Sequence, residues 1–97
     1  MLEISKMLTL STAHITKETA KALSSPPPDH SRKWLEWFSY YDKADYGWWI
    51  PTNDAELKQL PPDLAACIRF AKSNGCDWLC LDCDGPIEDS LPTYEWE

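Results

Sequence analysis

A chain of 97 residues has room for a single domain with one layer of helices on a sheet, and for no second domain. Its 43% hydrophobic residues and six Trp exclude a disordered chain, and no run approaches the ~20 apolar residues of a membrane span. The formal charge of −7 arises wholly within residues 73–97, where seven acids (Asp77, Asp82, Asp84, Glu88, Asp89, Glu95, Glu97) meet no Lys or Arg; such a one-signed region repels nucleic acid and attracts basic surfaces.

Residues 1–6 show no periodicity and are expected to be disordered, with Met7 an alternative start. Glu3 and Lys6 interrupt what a signal peptide would need, so a cytoplasmic location is expected, with Cys67, Cys76, Cys80 and Cys83 as reduced thiols. Met7 to Leu10 is short, apolar and β-branched, which predicts a strand ended by Ser11 and Thr12. Thr16 then offers a hydroxyl N-cap to Lys17–Leu23, a helix of about two turns with a thin stripe of Ala20, Leu23 and either Ile15 or Thr19. Pro26, Pro27 and Pro28 place an exposed polyproline-like loop over 24–33.

The aromatic runs Trp34–Tyr41 and Tyr46–Ile50, with Asp42–Asp45 as the turn, predict a β-hairpin. The alternative at its start is a helical turn, since Trp34, Trp37 and Phe38 also fit i, i+3, i+4. After a polar connection over Pro51–Gln59, Pro62 opens a helix whose apolar positions are Leu64, Cys67, Ile68 and Ala71, stopped at Gly75. Cys76–Leu81 reads as a buried strand and Asp82–Pro86 as a turn in which Gly85 supplies a positive φ. Ile87–Leu91 reads as a short edge strand, and 92–97 as an acidic tail. The expected fold is α+β, one domain over 1–97 in β-α-β-β-α-β order: a ferredoxin-like, split β-α-β arrangement with two helices on one face of a mainly antiparallel sheet.

Several motifs invite chemistry. Cys76-x3-Cys80-x2-Cys83 has the spacing of the cluster loop in radical S-adenosylmethionine enzymes, and Cys67 would complete a four-cysteine zinc set. Yet a strand sends Cys83 past the face that holds Cys80, the chain is too short for the barrel such enzymes use, and paired Cys-x2-Cys knuckles are missing. Small core hydrophobes are the expected role for Cys67, Cys76 and Cys80. Leu79-Cys80-Leu81-Asp82-Cys83-Asp84-Gly85 resembles the first motif of haloacid-dehalogenase-type phosphatases, but the twelve residues after Gly85 carry no base and cannot supply the rest of that site. Asp82, Asp84 and Glu88 could take Mg2+ or Ca2+, against the plainer reading of a solvated acidic turn. His14 and His30 form no catalytic dyad by spacing, and His14 reads as a capping or surface residue. No enzyme activity, cofactor or metal is expected.

Adjacent Trp48 and Trp49 must face opposite sides of a strand, so one of them is expected to be exposed or to cover the hairpin edge. Ser11–Thr16, Tyr46–Ile50, Leu64–Ala71, Asp77–Asp82 and Leu91–Trp96 together resemble a family of small uncharacterised proteins carried on proteobacterial plasmids and prophage-like islands, beside antirestriction and toxin-antitoxin genes. That resemblance implies a mobile-element accessory role and brings no catalytic residues.

Joined to the acidic end, it leads to a non-enzymatic inhibitor of a host defence nucleoprotein or nuclease, of anti-CRISPR or antirestriction type. The partner expected is a basic, nucleic-acid-binding host protein, contacted by Asp77, Asp82, Asp84, Glu88, Asp89, Glu95 and Glu97 as phosphate mimics and by Tyr94 and Trp96 as apolar anchors. Trp48 and Trp49 are secondary contact candidates, and they carry the alternative function, an antitoxin-like or scaffold module acting through the aromatic hairpin. Neither direct nucleic-acid binding nor membrane contact is expected.

Overall fold

The structure is a computed structural model and describes residues 4–24, 40–43, 47–52 and 57–95. Strand β1 (Met7–Ser11) runs into a 3-10 turn over Thr12–His14, whose first N–H groups are met by the Ser11 hydroxyl accepting from Ala13 N–H at 3.0 Å. Helix α1 (Lys17–Ser24) begins where expected, with Thr16 Oγ1 accepting from Thr19 N–H at 3.2 Å as an N-cap. The hairpin follows as β2 (Tyr41–Lys43) and β3 (Gly47–Pro51), then a 3-10 turn over Leu57–Gln59, helix α2 (Pro62–Ser73) and strand β4 (Trp78–Asp82). Pro62 takes the first turn of α2, where a missing N–H costs nothing, and Gly75 (φ 73°) ends the helix in the left-handed region.

Four strands form one mixed sheet in the order β1-β4-β3-β2. β1 pairs with β4 in parallel, Leu8 opposite Leu79 and Leu10 opposite Leu81, whereas β4–β3 and β3–β2 are antiparallel. The α+β class and the two helices agree with expectation; the split β-α-β arrangement holds only in part. There one strand separates the parallel pair joined by the first helix, while here both β4 and β3 lie between β1 and β2. β4 lies inside the sheet: Leu79 and Leu81 face the helices at 0% exposure, and on the other face Cys80 is 2% exposed between half-buried Trp78 and Asp82.

Both helices cover the same face of the sheet. Leu10, Trp48, Ile50, Leu79 and Leu81 form one cluster with Ala20, Ala22 and Leu23 of α1 and with Leu64, Ala65, Cys67, Ile68 and Ala71 of α2. Full burial of each large aliphatic is worth about 1.5–3 kcal/mol, so this face holds most of the fold's apolar stabilisation. Asp63, 8% exposed, accepts the Thr16 N–H at 2.7 Å and ties the start of α2 to that of α1.

Two boundaries differ from those the sequence predicts. Asp42 and Lys43 are strand residues rather than turn residues, because β2 pairs Tyr41 with Trp49, Asp42 with Trp48 and Lys43 with Gly47. Ile87–Leu91 forms no edge strand: Glu88 N–H goes to a side chain and Leu91 N–H closes a local turn on Glu88 O at 3.1 Å, leaving no ladder. The aromatic run over 34–39, the proline-rich loop from 25 to 33, turn residues 44–45, Tyr46, residues 1–3, His30, Trp96 and Glu97 lie outside the described residues. Among the described residues, no helix is long and apolar enough to cross a membrane.

Candidate functional site

The acidic segment after β4 is laced onto the start of the chain. Gly85 makes the crossing possible: a Cβ there would sit 2.6 Å from the Leu10 carbonyl oxygen and 2.8 Å from its carbon. Its role is therefore close backbone approach and not a positive φ, which occurs at Gly47 and Gly75. Ser11 N–H donates to Pro86 O at 2.8 Å and Tyr94 N–H donates to Ala13 O at 2.8 Å. Between these anchors stands His14, only 1% exposed, which accepts the Glu88 N–H on Nε2 at 2.9 Å and donates from Nδ1 to Pro92 O at 2.8 Å. A backbone donor on Nε2 and a carbonyl on Nδ1 require the neutral Nδ1–H tautomer. His14 is thus a buried staple, where a surface or capping role is the sequence expectation.

The structure divides the seven acids. Asp77 is exposed at the opposite end of β4 from Asp82, about 16 Å away at strand rise, and its carboxylate accepts the Lys6 N–H at 3.1 Å. Asp82 is ion-paired with Lys43 and also accepts the Asp84 N–H on Oδ1 at 2.8 Å. The Lys43 hydrogen bond, followed by that from Asp84, holds its carboxyl below the usual carboxylate range. Asp82 therefore offers a partner little net charge. Glu88 is also held low, chiefly by the Ser90 N–H bonded to its carboxylate at 3.0 Å. Asp84, Asp89 and Glu95 are exposed and Tyr94 is half-buried.

Donor atoms of Asp82, Cys83 and Asp84 come within 4.8 Å of one another. The Asp82 carboxylate already satisfies two donors, so a cation there would have to displace Lys43.

The sheet face opposite the helices, uncovered among the described residues, carries the aromatics. Trp48 points into the core at 7% exposure, which leaves it no surface to offer, while Trp49 lies half-buried on the other side. Across this face the register sets Thr9, Cys80, Trp49 and Tyr41 in one row and Met7 beside Trp78 in the next. Met7, Tyr41, Trp49 and Trp78 line an open pocket of about 320 Å³. The Tyr41 and Trp78 rings lie 5.9 Å apart at 48°, and Lys43 Nζ stands 6.0 Å from the Trp49 ring centre. Met7 and Trp78 escaped the sequence reading; the period-2 alternation of Trp78 against Leu79 and Leu81 is the signal that marks them.

Burial separates the cysteines. Cys67 lies in the core with its thiol pushed up to about 12, and burial also raises Cys80. Cys76 packs at the core's edge and Cys83 is exposed. Thiolate is the reactive form, so native protein at pH 8 is expected to take up maleimide at Cys83 and to protect Cys67 and Cys80 until unfolded. Mass mapping showing Cys67 labelled as fast as Cys83 would contradict this placement.

A family model described as the C-terminal domain of a family of unknown function, DUF5983, matches residues 7–96. The chain belongs to that family. The matched region of this DUF5983 domain takes in every described strand and helix and the segment stapled by His14. No curated protein and no solved structure matches the chain. Membership therefore attaches no reaction or partner, and function is argued from the surfaces.

Proposed function

We propose that this DUF5983 domain is a non-enzymatic inhibitor that docks its acidic C-terminal surface on a basic, nucleic-acid-binding site of a host defence nuclease or nucleoprotein. The observation that carries the reading is the lacing of a segment whose only charged side chains are acids: residues 86–94, with Glu88 and Asp89, are held to residues 11–14 by four hydrogen bonds, two of them through His14. A mimic of phosphates gains from charges whose backbone is already fixed, because less ordering is left for binding. Asp84, Glu88, Asp89 and Glu95 are the residues assigned to this surface; Asp82 is neutralised by Lys43, and Asp77 stands apart. The mobile-element setting, with its antirestriction or anti-CRISPR role, comes from the resemblance. An antitoxin-like or scaffold role is the second reading, favoured by the exposure of Tyr41 beside Trp49.

The test combines Asp84→Asn, Glu88→Gln, Asp89→Asn and Glu95→Gln in one chain. Wild-type protein on a resin is expected to retain a basic host protein at low salt, to release it at high salt and to lose it to added duplex DNA. The neutralised variant is expected to bind on the order of tenfold or more weakly. Retention unchanged by the four substitutions, or indifferent to salt and DNA, would remove the acidic surface from the mechanism.

A further inference from the structure

We infer that the sheet face opposite the helices is a cation-stacking site, in which Trp49, Trp78 and Tyr41 receive arginine side chains of the basic partner. The inference rests on the proposal that the partner is basic and adds where its side chains seat. Met7, Tyr41, Trp49 and Trp78 form the lining, with Tyr41 55% and Met7 48% exposed. The space of about 320 Å³ lies at the lower end of ligand pockets and suits one or two side chains rather than a folded element. Ring faces supply the electrostatics here, and their quadrupoles favour a cation.

Two further facts choose the occupant. Lys43 holds its ammonium 6.0 Å from the Trp49 ring centre while pairing with Asp82, so the positive charge already on this face is balanced and does not oppose a guanidinium at the Tyr41 and Trp78 rings. The chain's formal charge of −7 favours a positively charged visitor and disfavours a second copy, whose like charge would repel it. Arginine fits better than lysine, because a planar, weakly hydrated guanidinium stacks on rings as well as carrying charge.

The experiment titrates the 15N-labelled full chain with nona-arginine and with nona-lysine and follows the indole Nε1–H signals of Trp49 and Trp78. Both signals are expected to shift, with nona-arginine binding about threefold or more tightly than nona-lysine. Trp49→Leu is expected to weaken nona-arginine about threefold and to erase the preference; Tyr41→Ser, at an exposed ring, repeats the test if Trp49→Leu unfolds. If the neutralised acidic variant loses nona-arginine while Trp49→Leu and Tyr41→Ser bind it unchanged, the stacking site is wrong and the acidic-surface proposal stands. Failure of wild type to bind either peptide overturns both. Indole shifts that appear on concentrating the protein alone would assign the face to a second copy and overturn the inference.

Discussion

Replacing Gly47 by alanine is expected to leave no soluble folded protein, or a fold weakened by about 4 kcal/mol or more. Gly47 has φ 155°, and a Cβ built on it would lie 1.6 Å from the Leu81 carbonyl oxygen, 2.7 Å from that carbonyl carbon and 3.1 Å from Asp82 Cα. All three atoms belong to the backbone of β4, so no side-chain rotation relieves the clash. The strand pair must separate, at the end where Gly47 is registered with Asp82 on one side and Lys43 on the other. The bare glycine also clears the row that lets Lys43 reach Asp82 across β3. Gly75→Ala provides the contrast: its φ is 73° but nothing lies within 4 Å of the added Cβ. Only left-handed strain applies there, about 1–2 kcal/mol. Urea denaturation of both variants checks the pair, and a Gly47→Ala chain as stable as Gly75→Ala would refute the β3–β4 contact.

Much of this fold is legible in the residues because local and tertiary demands coincide. Thr16 before Lys17 and Pro62 before an apolar stripe are read correctly since caps and periodicity are local signals, and both helices bury the side chains so marked. Strand partners are not local. Nothing in β1 says that it pairs in parallel with the last strand instead of one nearer in sequence. Of the hairpin, the strand Gly47–Pro51 is foreseen, but of the first strand expected over Trp34–Tyr41 only Tyr41 falls in β2, because Asp42 and Lys43 resemble turn residues, whereas Lys43 finds its partner in Asp82.

The acidic end shows the same division. Its charge is plain in the composition, but Lys6 and Lys43, the partners that set Asp77 and Asp82 apart from the rest, lie far back along the chain. The adjacent tryptophans were separable by strand alternation alone, though not which of them faces out: the pairing of Trp48 with Leu81 sets it among the core residues and leaves Trp49 beside Cys80. His14 carried no motif, since its partners are two backbone groups in a segment more than 70 residues later.

That histidine carries the second large expectation. His14→Ala is expected to cost about 2–4 kcal/mol, from the cavity left at a fully enclosed ring and from two backbone partners stripped of their hydrogen bonds. His14→Gln, able to satisfy one of the two, should lose less. The loss should also be local: amide exchange at Glu88 and Tyr94 should quicken in His14→Ala well before that of Leu79 or Leu81, because the segment unlaces while β4 stays paired on both sides. Uniform acceleration across the chain, or protection at Glu88 left intact, would mean that the ring is ordinary core and not a staple. The substitution reaches the function as well, since it changes none of the seven acids. If binding depended on net charge alone, His14→Ala would hold the basic partner as wild type does; if it depends on acids set in place on a fixed backbone, affinity should fall with the protection at Glu88, at unchanged net charge.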